Sequence, residues 1–307
     1  MKSLLLLAGF PLLLLLLLFG LSALYVGLTE DVYTAEQGVA LALDNITRIW
    51  PFAFIGAGVW FFIAWLAHQK LIELSVSSRG LTRKEAPELY NLLENLCISR
   101  GLAMPKLNVI ETDALNAFAS GISAKNYAVT VTRGLLDRLD RDELEAVLAH
   151  ELTHIINRDV RLLIVAVIFV GIFSFFGELL FRNMFRTGLR VGGHSSSRKG
   201  DSRGGGILIL IAIAAIVLSY LLALVVRFSL SQKREYLADA GSVDLTHNPD
   251  AMISALKKIS GRSSVAAPDD VRQMMVENTH RFAGVFATHP PVEKRIKALV
   301  DYAGGRG

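Results

Sequence analysis

The chain has 307 residues, 52% of them hydrophobic and 20% charged, a balance that excludes disorder and is too apolar for a water-soluble domain of this length. The net charge of +4 is modest and no basic stretch is interleaved with aromatics, which excludes a nucleic-acid surface and turns the cations towards a lipid bilayer. A lone cysteine, Cys97, excludes an internal disulfide, reads as a buried inert thiol, and leaves any metal to His and carboxylate ligands.

Residues 4–28 form a nearly unbroken apolar run behind Lys2, long enough to cross ~30 Å of hydrocarbon at ~1.5 Å per residue. The run exceeds the roughly 7–15 apolar residues of a signal peptide, so a retained anchor is expected. Residues 49–67 make a second span. His68, Lys70, Arg79, Arg83 and Lys84 follow it, whereas Glu30, Asp31, Glu36 and Asp44 lie between the two spans against Arg48. The positive-inside rule then places Lys2 and the chain after residue 67 in the cytoplasm, as expected of a multi-pass protein of the cell (inner) membrane.

An amphipathic helix is predicted over 82–100, with Leu89, Leu92, Leu93 and Leu96 at helical spacing and Gly101 as its stop. Alternating, β-branched segments at 106–111 and 127–132 read as strands, with a turn over 120–126. A helix over 140–157 opens at Asp140 and is rich in early acids. Two more apolar runs, 160–181 and 206–226, flank a Gly/Ser/Arg-rich linker at 182–205 that reads as having no structure of its own. Arg182, Arg186, Arg190, Arg198, Lys199 and Arg203 sit poorly outside the cell. The second pair of helices is therefore expected to be tilted, shallow or partly sheathed by protein. Glu178, one turn from Arg182, reads as half of an interfacial ion pair. Asn248-Pro249 and Pro290-Pro291 open the last helices.

The sharpest chemical signal is His150-Glu151-Leu152-Thr153-His154. Helical positions four apart differ by only ~40° in azimuth, so both imidazoles project from one face and reach one zinc ion at ~2.0–2.1 Å. Glu151 lies beside them, placed to activate a zinc-bound water. The metzincin extension is absent, because Asn157 and Val160 stand where Gly and His are required. The third ligand is expected from Glu235, with Asp239 one turn further on to hold a ligand imidazole by its other N–H. His154 and Glu235 lie close to the third and fourth apolar runs, so the zinc, one per chain, is expected near the membrane surface between extensions of those two helices.

Several separated segments carry a resemblance to one family: Asn116-Ala117-Phe118-Ala119-Ser120-Gly121, Val131-Thr132-Arg133-Gly134-Leu135-Leu136, His150 to His154, Glu235 to Asp239, and Thr288-His289-Pro290-Pro291 with Arg295. Together with the N-terminal spans they make most of the chain similar to the HtpX-type membrane zinc metalloproteases, relatives of the CAAX prenyl endopeptidases. The resemblance implies a zinc endopeptidase with His150, His154 and Glu235 as metal ligands and Glu151 as general base. It implies polypeptide substrates, misfolded or damaged membrane proteins, and a part in protein quality control under stress. It also gives Asn116, Ala117, Phe118 and Ala119 a role in holding substrate, for which strand addition at a sheet edge is the physical basis. His289 becomes a catalytic candidate for stabilising the oxyanion. From the residues alone, Asn116 would be a turn residue, His289 a cap of the last helix, and Arg295 either a partner for a carboxylate or a solvated cation.

The fold class expected is a mainly α membrane protein with about four transmembrane helices and an α+β zincin-like (gluzincin) metalloprotease domain with a small sheet. Its organisation is a membrane helix pair over 1–67, a catalytic part over 68–159, a membrane hairpin over 160–227 and a second catalytic part over 228–307. Three other readings stand beside it: a membrane scaffold with a structural zinc, a transporter, and a prenyl-protein endopeptidase. A structural site asks for a fourth His or Cys at metal spacing and a transporter for broken helices or mid-membrane charges; neither is evident. His68, His194, His247 and His280 fit no ligand spacing and read as surface or structural.

Overall fold

The computed structural model describes residues 2–186, 203–229, 232–260, 262–263, 265, 274–276 and 290–304. The chain divides into two compact units, Met1–Trp65 with Ala166–Arg227, and Leu66–Val165 with Phe228–Gly307.

The first unit is helical. It contains α1 (Lys2–Thr29), most of α2 (Ala35–Ser75), the second part of α6 (Asp159–Arg186) and most of α7 (Arg203–Ser229). Each of these four helices carries a stretch long and apolar enough to cross a membrane. Phe52, Ile55, Val59, Phe62 and Ile63 of α2 are all exposed, a face that water would penalise and that lipid accommodates. Where the helices meet, Leu17, Val170, Phe173 and Ile216 form one buried cluster and Val26, Val32, Ala42 and Leu208 another. Gly20 permits the close approach of α1 to α7. A Cβ there would lie 2.5 Å from Ile216 Cγ1 and 3.0 Å from the Ala212 carbonyl, and small residues are what bring helix backbones together in lipid.

Two readings of the membrane segments change in their bounds. The second span, expected over 49–67, is part of a 41-residue helix that starts at Ala35. Its polar first turns mimic a loop, yet Ala42 is buried and accepts a hydrogen bond from Ser22 Oγ at 3.0 Å. The helix also continues through Pro51, which removes only one backbone donor. The linker expected over 182–205 is shorter, because α6 runs to Arg186 and α7 begins at Arg203; the rest of it lies outside the described residues. Arg182 and Glu178 do form an i,i+4 ion pair, at 3.4 Å.

The second unit is built on a four-stranded sheet of order β1-β2-β4-β3, comprising β1 (Arg79–Gly80), β2 (Lys106–Ile110), β3 (Ala117–Ser120) and β4 (Ala128–Thr132). β2 and β4 are parallel, pairing Leu107 with Val129, while β3 runs antiparallel to β4, pairing Phe118 with Thr130. The free side of β3 meets the chain again at Phe118 and Met275, which form an antiparallel bridge. Beneath it Phe118, Val76, Ile110, Val265 and Met275 make a buried cluster.

Helices α3 (Pro87–Ser99), α4 (Arg133–Arg138), α5 (Arg141–Ile156), α8 (Gln232–Thr246), α9 (Pro249–Ile259) and α10 (Val292–Gly304) complete this unit. α3 starts five residues later than the periodicity predicts. The cause is Pro87, which pushes Ala86 out of the helical region, to φ −143° and ψ 67°. α5 is held at its start by a capping box between Asp140 and Glu143, which satisfies two otherwise orphaned backbone donors. It is buried along almost its whole length. α8 seats against it at Gly241, where a Cβ would lie 2.4 Å from Thr153 Cγ2, and Ser242 Oγ donates to the Ala146 carbonyl at 2.6 Å. α5 and α6 are separate helices, divided at Arg158, whose φ is 59°. His154 therefore does not lie on an extension of the third apolar helix, as the spacing suggested.

Candidate metal centre

α5 carries His150 and His154 one turn apart, so their rings share a face, 4.8 Å between centroids and nearly perpendicular. Their Nε2 atoms are 3.2 Å apart. Glu235 reaches the same point from the first turn of α8, with Oε2 3.7 Å from His150 Nε2 and Oε1 3.6 Å from His154 Nε2. Ligands held ~2.0–2.1 Å from a tetrahedral zinc lie about 3.3 Å from one another. The two imidazole nitrogens and the two oxygens of the Glu235 carboxylate thus surround one point at close to the spacing such a site requires, and two imidazoles with a carboxylate are the donor set that zinc takes when one position is left open. His150, His154 and Glu235 are also the His/carboxylate group that could hold a metal among the described residues.

Each imidazole is backed by a carboxylate, and each carboxylate by an arginine. Behind His150, Asp239 places Oδ1 3.0 Å from Nδ1. Asp239 is gripped in turn by Arg295 of α10, through Nε at 2.9 Å and Nη2 at 2.6 Å. Arg295 is fully buried, and its Nη1 donates to the Val276 carbonyl at 2.7 Å. Behind His154, Asp159 at the start of α6 places Oδ2 3.4 Å from Nδ1. Arg234 backs Asp159, with Nε 3.4 Å from Oδ1 and Nη1 donating to the Asp159 carbonyl at 3.1 Å.

The electrostatics follow from burial and these pairs. Burial disfavours a charged carboxylate at Asp239, and Arg295 with His150 overcomes it, so the Asp239 pKa is lowered. Burial drives the His150 pKa down despite Asp239. Desolvation also lowers the partly buried His154, but Asp159, Glu235 and Glu151 together raise it to about 9. Glu151 is pushed up to about 7, chiefly by burial. A carboxylate near neutrality is suited to taking and returning a proton. Glu151, His154, Arg234 and Glu235 line one small open cleft with Ala119 and Met274.

Asn116, Ala117 and Phe118 are buried beside this cleft and Ala119 lines it. The Asn116 side chain bonds to the chain itself: Nδ2 donates to the Ser263 carbonyl at 2.8 Å, and Oδ1 accepts from the N–H groups of Ala117 at 3.0 Å and Val276 at 3.1 Å. His289, like His194 and His280, lies outside the described residues. His68 is buried and His247 is exposed. Asp159 and Arg234 were not singled out in the sequence. The available signals were an acid just past the Asn157-Arg158 break and a base directly before Glu235, both ordinary at helix starts.

The model of peptidase family M48 matches residues 83–303. The chain belongs to peptidase family M48. A protease HtpX homolog of Bacteroides fragilis is 40% identical over 315 aligned positions, covering 98% of this chain and 96% of its own length. A protease HtpX homolog of Listeria monocytogenes is 36% identical over 256 positions, covering 80% of this chain and 84% of its own length. The crystal structure of S. mikatae Ste24p aligns with a TM-score of 0.49 at 19% identity; the match covers 83% of this chain and the chain spans 60% of that one. With M48 membership and four helices apolar enough to cross a bilayer, the chain is a membrane metalloprotease.

Proposed function

We propose that this M48 protein is a zinc-dependent endopeptidase that hydrolyses peptide bonds of misfolded or damaged membrane proteins, with its catalytic residues facing the cytoplasm. The observation that carries the reading is the triangle of His150 Nε2, His154 Nε2 and the Glu235 carboxylate, with sides of 3.2, 3.7 and 3.6 Å, next to Glu151. These three residues would hold one zinc ion, which when bound supplies a Lewis acid that polarises a peptide carbonyl and acidifies water.

Glu151 acts as the general base. Its carboxylate takes a proton from the attacking water and passes it to the leaving amine, the exchange for which its near-neutral pKa suits it. Asp239 Oδ1, 3.0 Å from His150 Nδ1, is placed to favour the tautomer that turns Nε2 towards Glu235. Asp159 does the same for His154. Asn116, Ala117 and Phe118, bonded to the 275–276 segment, hold β3 in place so that its edge at Ala119 receives an extended peptide, and His289 stabilises the oxyanion. The substrate class is supported by the apolar helices, which hold the protease where membrane proteins are encountered.

The test is zinc content and casein cleavage by detergent-purified, zinc-reconstituted wild type and Glu151→Gln protein. About one zinc per chain in both, with cleavage confined to wild type, is the expected result. Tight zinc without cleavage in either, repeated on membrane-protein substrates, would move the reading to a structural-zinc scaffold. Cleavage by Glu151→Gln at the wild-type rate would remove Glu151 as the base.

A further inference from the structure

The two arginines behind the metal ligands are not equivalent. Arg295 spends its whole fork on the protein: Nε and Nη2 hold Asp239 and Nη1 holds the Val276 carbonyl. Arg234 spends two arms, Nε on the Asp159 carboxylate and Nη1 on the Asp159 carbonyl. Its third nitrogen, Nη2, is buried and meets no acceptor among the described residues. The side chain is only 6% exposed, yet it lines the cleft that also contains Glu151, His154 and Glu235.

A buried cationic N–H without an acceptor is costly, and native structures keep such groups where a ligand satisfies them. The cleft that Arg234 lines is the route open to an acceptor, since the other two arms are held by Asp159, and a small turn of the guanidinium would bring the covered Nη2 to it. The chemistry that fits is an oxygen acceptor, for which a charge-assisted hydrogen bond is roughly twice as strong as a neutral one. Resting on the endopeptidase reading above, we propose that Arg234 is a substrate-binding residue, whose Nη2 donates to an acceptor oxygen of the bound polypeptide beside the metal ligands. Two sources offer that oxygen, a backbone carbonyl or an acidic side chain.

Peptide binding separates this from an indirect effect through His154. The parent is the zinc-loaded Glu151→Gln protein in detergent. Binding of fluorescein-labelled unfolded peptides, one set neutral and one containing Asp and Glu, is followed by anisotropy. Arg234→Lys keeps a cation beside Asp159 but loses the fork; Arg234→Gln keeps a donor without charge. The expected result is unchanged zinc stoichiometry and thermal midpoint in at least one variant, with peptide affinity weakened about tenfold or more. In the Glu151-intact enzyme, KM rises more than kcat falls. Equal loss for both peptide sets identifies a backbone carbonyl, and loss confined to the acidic set identifies a carboxylate.

A parent that binds peptide, with Arg234→Lys and Arg234→Gln binding it equally well, overturns this inference and leaves the endopeptidase reading standing. Loss of zinc in both variants, with peptide affinity restored once zinc is resupplied, also overturns it, because Arg234 then acts only through His154. A parent that takes zinc but binds no peptide overturns the endopeptidase reading and this inference with it.

Discussion

Asp239 and Arg295 form a buried two-pronged pair, at 2.6 and 2.9 Å, that ties α8 to α10 directly behind His150. The residues are 56 positions apart in the chain, and neither has another charge of opposite sign as close. Breaking such a pair from one side leaves an uncompensated buried charge, a cost of about 3–5 kcal/mol. Arg295→Met is expected to lower the unfolding free energy of the detergent-solubilised protein by that order. Asp239→Asn is expected to weaken zinc binding about 10- to 100-fold, as loss of a ligand's supporting carboxylate does. Denaturant unfolding and competition with a chelator measure the two effects; wild-type values in either would contradict the pairing.

Zinc affinity is expected to rise with pH up to about 9. In the metal-free protein burial lowers the His154 pKa but Asp159, Glu235 and Glu151 outweigh it and hold it at about 9, so a proton must leave Nε2 before the ring can coordinate. Below that value the apparent affinity should climb about tenfold per pH unit for this one proton. A raised histidine pKa also stabilises the metal-free fold, fully below the unfolded value and fading as pH rises through about 9. Chelator competition at several pH values checks the slope. Asp159→Asn should move the pH at which the rise levels off downwards, because it removes the carboxylate that raises His154.

Asn116→Ala is expected to destabilise the protein even without substrate. It would strip partners from the Ser263 carbonyl and the Ala117 N–H, at 2.8 and 3.0 Å, while the Val276 N–H keeps the Ala117 carbonyl at 3.0 Å. Leaving such buried groups unsatisfied costs about 1–3 kcal/mol each. An unchanged thermal midpoint would show that Asn116 serves substrate alone.

Gly241→Ala should cost both stability and zinc. The added methyl would lie 2.4 Å from Thr153 Cγ2 and 2.7 Å from Thr153 Oγ1, which forces α8 and its Glu235 away from α5. Overpacking of this kind costs about 1–3 kcal/mol. The double variant Gly241→Ala with Thr153→Ala should recover zinc content, since the opposing atoms are gone; failure to recover it would place the defect elsewhere.

Spacing within one helix was legible from the sequence because it depends on nothing outside that helix. His150 and His154 share a face by the geometry of the α-helix, and the Asp140 cap and the four apolar stretches are equally local. Alternation of apolar and polar residues revealed β2 and β4, but β3 at Ala117–Ser120 is only four residues long with its one polar residue at the end, and has no alternation to read. The first turns of α2 were hidden because their charges resemble a loop until Ser22 and Ala42 are seen in contact.

The sequence by itself determined that the chain is membrane-bound and carries a paired-histidine helix with a glutamate beside it. Only the tertiary structure decided that Glu235 closes the triangle at 3.6–3.7 Å, that Arg295 supports His150 through Asp239, and that Arg234 and Asp159 back His154. The physical reason is range. Periodicity and i,i+4 spacing are set by the backbone within a few residues, whereas a buried carboxylate–arginine pair exists only once separate helices have packed and excluded water around it.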